Sequence, residues 1–407
     1  MKSDTLMKFG QLAGYTSRTF IALTCLTICI FSFANAAANV TRDSNSVAAL
    51  RFAPSDASAL ATKTDVLLSK PNIKPRDIFA NASTARASLV GQAINPRALR
   101  QLGFVAEAKG DAVRARKLMA LSTATSRRDF GAQLWLIENG VRSNNLANTL
   151  SHYDVALRTN GLSAPILYPI LGAALSDATV RTSFAPYIKS APVWLDSFLA
   201  YAQGPGAQSV AVAKTIVESG GLPATERFRP IATGLIVQLA SQGAVDEARR
   251  FYITLTGANK TVTTSTRFEK ATTDPQFSPV TWQLQNLSGV EAQFEPVGED
   301  SAIQLHAFAN SGERASVVRK LLYLTPGNYS FSEIRKLLRF DKDAAAYWNL
   351  YCIREAQLLP IWRNDINGAN VSITPNCPAQ MLDLIMAGGS DQNGAEVVIQ
   401  SVSFDKQ

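Results

Sequence analysis

Histidine is nearly absent from this chain. Only His152 and His306 occur in 407 residues, which excludes multi-histidine metal sites and leaves any histidine-based catalysis to one of two positions. Cysteine is almost as scarce, at four residues with no Cys-x-x-Cys pair, so a dithiol redox motif and a two-Cys metal half-site are both missing. Charged residues make up 18% of the chain and form no Lys/Arg block, so there is no nucleic-acid footprint. No Gly-x-Ser-x-Gly elbow and no phosphate loop occur, and no cofactor is expected. What is present is ordinary for a folded protein: 46% hydrophobic residues and mean hydropathy +0.02. Those values exclude a disordered or multi-span membrane chain, and the length predicts two or three domains.

The first 36 residues carry the marks of an export leader. Lys2, Lys8 and Arg18 form a basic start, residues 20–33 are an apolar run, and Ala34-Asn35-Ala36 is a small-residue cleavage site. The run is shorter than the roughly 20 residues that span a bilayer, so cleavage near Ala36 is expected, with no membrane span afterwards. No lipoprotein box precedes Cys25. Loss of Lys2, Lys8, Arg18 and Asp4 lowers the net charge from +8 to +6. The expected location is the periplasm or the cell surface. Cys25 and Cys29 lie in the leader, and the remaining Cys352 and Cys377 predict one disulfide in an oxidising compartment. Closing that loop contributes about 3 kcal/mol in the chain-entropy model.

Beyond the leader the sequence changes grammar once. Residues 37–257 follow a helical period rich in Ala and Leu, whereas residues 276–407 show short alternating segments and Pro-Gly turns. The Thr-, Lys- and Asp-rich residues 258–275 lack apolar periodicity and are expected to be a linker. Within the helical part, Leu102, Ala115, Met119 and Ser122 recur 34 residues later as Leu136, Thr149, Tyr153 and Ala156. They recur again as Leu235, Ala248, Tyr252 and Leu255. Small residues at such positions let paired helices approach, while Met119, Tyr153 and Tyr252 fill the groove. A 34-residue period is the tetratricopeptide signature, and Lys109-Gly110-Asp111, Ser143-Asn144-Asn145 and Gln242-Gly243-Ala244 supply the turns between helices. Pro169, Pro186 and Pro192 interrupt the less regular stretch 164–221. In the last part, alternation around Trp282, in RKLLYL running into Pro326-Gly327, in YWNLYC and in VVIQSVSF predicts strands. Gly327 is expected at the left-handed position of a type II turn.

The segment NPRALRQLGF through SRRDFGAQLWLIE and HYDVALR resembles exported tetratricopeptide proteins of alphaproteobacteria. The strand at Trp282, LLYLTPGNYSF, WNLYC, Cys377 and the terminal IQSVSF are similar to galactose-binding-like jelly rolls of the carbohydrate-binding type. The two resemblances imply an α plus β multidomain protein, a tetratricopeptide-like α-solenoid followed by an antiparallel β-sandwich of jelly-roll type. The 34-residue repeat, together with the missing catalytic constellation, leads to the expectation of a non-enzymatic envelope scaffold. Its solenoid is expected to grip an envelope protein and its β module to bind an exopolysaccharide or envelope glycan, or else to cap the last hairpin. Trp362, after Pro360 and before Arg363-Asn364-Asp365, is the expected glycan platform on a loop. The rival reading is a peptidoglycan-cleaving enzyme. Glu218-Ser219 with Gly234-Leu235 and Gln238 resembles elements of lytic transglycosylases, in which a single buried Glu218 would act as acid and base. His152 is expected on a helix surface and His306 in a strand, neither with catalytic partners.

Overall fold

The computed structural model describes residues 3–68, 73–204, 206, 208–298, 302–340, 342–390 and 393–407, with side chains from residue 20 onward. Lys2 and the side chains of Lys8 and Arg18 lie outside that set. The chain divides into two compact units, one ending at Ser163 and one running Ala164–Gln407.

The first unit is helical: α1 (Ser3–Thr41), α2 (Ser46–Phe52), α3 (Ala57–Leu68), α4 (Pro75–Ala80), α5 (Ala82–Gly91), α6 (Pro96–Ala108), α7 (Ala112–Thr125), α8 (Phe130–Arg142) and α9 (Leu146–Thr159). Helix α1 does not stop where the apolar run was expected to end. Phe20–Thr41 forms a 22-residue stretch long and apolar enough to cross a membrane by length and composition, and Ala38 at its end packs with Ala49 and Ala59.

The starts of α6 and α8 lie 34 residues apart, as do those of α7 and α9. The local chemistry repeats with them. Asn95, Asp111, Asp129 and Asn145 each cap a helix, accepting the N–H of Ala98, Arg114, Ala132 and Asn148. Gly110 and Asn144 take the left-handed conformation that ends α6 and α8, at φ 78° and 52°. Ala115, Met119, Ser122, Leu136, Thr149, Tyr153 and Ala156 are all buried. Gly103 leaves room for the Met119 side chain, since a Cβ there would sit 2.8 Å from Met119 Cε and the methionine would have to shift.

The second unit opens with α10 (Ala164–Ala174), α11 (Ala178–Ser190), α12 (Leu195–Tyr201), α13 (Ser209–Glu218), α14 (Arg229–Ser241) and α15 (Val245–Ile253). Pro169 and Pro186 sit inside α10 and α11. After the short α16 (Lys270–Thr273), the described residues form the strands β1 (Gln283–Leu284), β2 (Val290–Pro296), β3 (Ile303–Ala309), β4 (Arg314–Leu322), β5 (Gly327–Phe340), β6 (Ala345–Arg354), β7 (Gln357–Arg363), β8 (Asn370–Ile373), β9 (Gln380–Ala387) and β10 (Ala395–Lys406). The turn α17 (Asn364–Asn367) lies between β7 and β8. They form two antiparallel five-stranded sheets, sheet A in the order β1-β4-β9-β6-β7 and sheet B in the order β2-β3-β10-β5-β8. One core joins them, with Trp282, Trp348, Leu350, Cys352 and Leu384 from one side and Leu305, Phe331, Val397 and Ile399 from the other.

Three expectations are corrected here. Residues 258–275 are not a linker: Val262, Thr263, Thr266, Phe268 and Thr272 are buried, and Thr266 Oγ1 donates to the Val402 carbonyl at 2.6 Å. Polar threonines hid that packing, because their hydroxyls are satisfied by backbone while their methyls face the core. The compact-unit boundary falls at Ser163/Ala164 instead, so α10–α15 belong with the sheets. Gly327 has the positive φ expected of it, at 147°, but not within a type II turn: it already pairs with Ile373 in β5, where the chain has passed from sheet A to sheet B.

The helices and sheets of the second unit meet through buried contacts. Tyr323, just past β4, donates from its hydroxyl to the Val245 carbonyl at 2.8 Å and lies under the Arg249 guanidinium. The Tyr252 ring meets Phe277 at 5.4 Å. Gly243, left-handed at φ 72°, abuts the β6–β7 turn so closely that a Cβ would strike the Ala356 backbone nitrogen.

Candidate functional site

Of the residues singled out from sequence, the cysteines behave as expected. Cys352 on β6 and Cys377 ahead of β9 form a disulfide, stapling two neighbouring strands of sheet A. Trp362 does not. It lies on strand β7 rather than a loop, is only 4% exposed, and packs between Phe331 and Phe404 while its indole N–H donates to the Gly368 carbonyl. Its ring is core and offers no sugar platform. Glu218 is not the buried acid that the enzyme reading needs: it ends α13 half-exposed, with Oε2 accepting from Arg181 Nε at 2.9 Å. His152 on α9 is partly buried, Nδ1 lying 2.7 Å from Gln133 Oε1, and burial pulls its pKa down.

Two polar constellations escaped the sequence reading because strands distant in the chain build them. The first crosses the outer face of sheet A. Register places Gln283, Arg319, Asp383, Asn349 and Arg363 side by side, one from each of its five strands. Tyr347 and Tyr351 flank Asn349 two residues to either side, hence on the same face. Arg363 lies 3.9 Å from the Tyr347 ring centre and pairs with Asp365, while Arg314 covers the same ring at 5.5 Å. Asn349 Nδ2 donates to the Tyr351 hydroxyl at 3.0 Å, and Arg319 donates to Gln285 Oε1. Asp383 is 9% exposed. Burial pushes its carboxyl up, against the pull of Arg319 and of the Ser316 hydroxyl, which is close but outside hydrogen-bonding geometry. Among the described residues, Ser316 Oγ, Arg319 Nε and Asp383 Oδ1 are all buried without a hydrogen-bond partner. A lone Asp in the apolar run MLDLIM was the available signal.

The second lies on the outer face of sheet B. His306 on β3 is held from both sides, Nδ1 3.1 Å from Glu295 Oε1 on β2 and Nε2 2.8 Å from Glu396 Oε1 on β10. Glu396 also accepts from Arg339 Nε at 2.5 Å. Burial lowers the His306 pKa, but the two carboxylates outweigh it and the net shift is upward. Beside this clamp is a concavity of about 330 Å³ lined by Glu291, His306, Phe308 and Arg339 among others.

Inside the core, Lys320 is fully buried on β4, donating to the Val280 carbonyl with its ammonium 5.8 Å from the Trp282 ring. Burial pushes its pKa down to about 7, against a weaker upward pull from Glu269. In the first unit, Arg100 bridges Asp65 at 2.6 Å and Asp129 at 2.8 Å at the wall of a concavity of about 430 Å³. Among the described residues no group of three or more His, Cys, Asp or Glu is placed to hold a metal ion. Comparison of the chain with family models and with curated proteins finds no match.

Proposed function

We propose that this is an exported, non-enzymatic interaction protein of the cell envelope. In this reading the hairpins form a tetratricopeptide-like surface for a protein partner, and a jelly-roll-like sandwich serves both as a cap on the last helices and as a glycan-binding module. The apolar leader and the Cys352–Cys377 disulfide support export. The observation that carries the scaffold reading is the joint construction of the second unit. Tyr323 seated on the Val245 carbonyl, the Tyr252 ring against Phe277, and the α14–α15 turn pressed against Ala356 support a cap of the kind that a repeat array needs.

The test is to compare thermal unfolding of residues 37–257 with that of residues 37–407. Loss of a cap lowers the melting temperature of the helices and exposes apolar surface. Unchanged melting would refute the capping role. Zymography on purified cell wall separates the enzyme class: clearing that disappears in Glu218→Gln would overturn the non-enzymatic reading. Amino-terminal sequencing of the envelope fraction distinguishes cleavage near Ala36 from a retained α1.

A further inference from the structure

The row across sheet A has a charge order that selects among ligands. Asp383 stands at its centre, with Arg319 on one side and Arg363 beyond Asn349 on the other. An anion centred on the row would meet the Asp383 carboxylate, and a cation would meet two guanidinium groups. A group that both donates and accepts hydrogen bonds meets neither penalty. It can donate to Asp383 Oδ1 and accept from Arg319 Nε, two buried atoms that have no hydrogen-bond partner among the described residues. Buried polar atoms left unpaired cost about 1–3 kcal/mol each, and such atoms, clustered with Ser316 Oγ on one face, mark a place completed by something outside the chain. Tyr351, half-buried next to Asn349, presents part of an aromatic ring beside the row, as stacking on the C–H face of a pyranose requires.

We infer that the outer face of sheet A binds a neutral, polyhydroxylated ligand, a glycan strand lying across the five strands over Arg319, Asp383, Asn349 and Arg363. This inference rests on the reading of the sandwich as a glycan-binding module, and moves the site from Trp362 to a different face. Entry to the closed floor of the site requires the Arg319 or Tyr351 side chain to swing outward, both being half-buried rather than locked in the core.

The experiment is affinity electrophoresis of the full chain in native gels containing a neutral β-glucan, a neutral galactomannan or polygalacturonate. Retardation is expected with at least one neutral polymer, and Asn349→Ala and Arg363→Ala should each weaken it about tenfold. Gln304→Ala, on sheet B, should leave it unchanged. Melting curves accompany each variant, so that loss of fold is recognised, and the two replacements serve as independent reports. Migration unchanged in both neutral gels, retardation by polygalacturonate alone, or full binding by folded Asn349→Ala and Arg363→Ala would each overturn the inference. Unchanged migration in every gel would sink the glycan-module reading itself, whereas retardation kept by the folded variants would sink only this placement of the site, so the two can fail separately.

Discussion

Replacing Lys320 by methionine is expected to stabilise the second unit at neutral pH and to do so less as pH rises. The side chain is fully buried beside Trp282, with the Val280 carbonyl as its hydrogen-bond partner. Its pKa falls from 10.5 to about 7, and each tenfold change in proton affinity is worth about 1.4 kcal/mol, so the full cost is about 5 kcal/mol. Above the unfolded value the lysine is neutral in both states and costs nothing. As pH drops toward 7 the unfolded chain binds a proton that the folded chain refuses, so stability falls; below 7 the slope vanishes and the whole cost is present. Methionine keeps the apolar stem but leaves the Val280 carbonyl unpaired, a loss of about 1–3 kcal/mol. The net gain at pH 7 is therefore about 2–4 kcal/mol. The unpaired carbonyl does not titrate, so the difference between variant and parent should shrink by about 3 kcal/mol between about pH 7 and pH 9.5. Urea unfolding followed by tryptophan fluorescence reads this directly, and the tyrosine ionisations common to both proteins cancel. An equal difference at the two pH values would refute the assignment of a neutral, desolvated lysine.

The Cys352–Cys377 bridge closes a separation of 25 residues, so reduction should lower the stability of the second unit by about 3 kcal/mol in urea titrations with and without reductant. Met119→Ala, emptying a fully buried groove beside Gly103 and Ala115, should cost about 2–5 kcal/mol of the first unit's stability, measured by thermal unfolding. His306 has a raised pKa, so its contribution is present below 6.5 and is lost as pH climbs through the raised value. Glu295 and Glu396 have lowered ones, so theirs is lost as pH falls through them. His306→Gln should therefore flatten both flanks of the stability–pH curve, and an unaltered curve would count against the clamp.

The helical hairpins were legible because their information is local. Asn95, Asp111, Asp129 and Asn145 cap helices whose buried residues lie a few positions on, and the 34-residue spacing repeats the whole set. Strands such as YWNLYC and VVIQSVSF were legible for the same reason. Sheet order was not, since β4, β9 and β6 become neighbours across tens of residues, and so the Arg319–Asp383–Asn349 row could not be assembled from spacing. Trp362 misled because its neighbours Arg363-Asn364-Asp365 are polar. Arg363 ends β7 on the opposite face and Asn364 and Asp365 belong to the turn that follows, whereas the ring itself points inward. The threonine-rich stretch misled in the opposite sense, its polarity hiding burial.

Strand β10 lies in the middle of sheet B, with β3 on one side and β5 on the other. Those two strands touch no common partner until Ala395–Lys406 arrives, so sheet B stays split, with two raw edges, for as long as that segment is missing. The hairpins make a lighter demand, since each stacks only on its neighbours in sequence. A chain emerging from a narrow channel would thus acquire its helices as it goes, yet keep the sandwich open to proteases until the last strand is delivered. The position of β10 makes the fold its own inspection step: a product cut short before residue 395 presents unpaired strand edges, and is recognisable as unfinished by that fact alone.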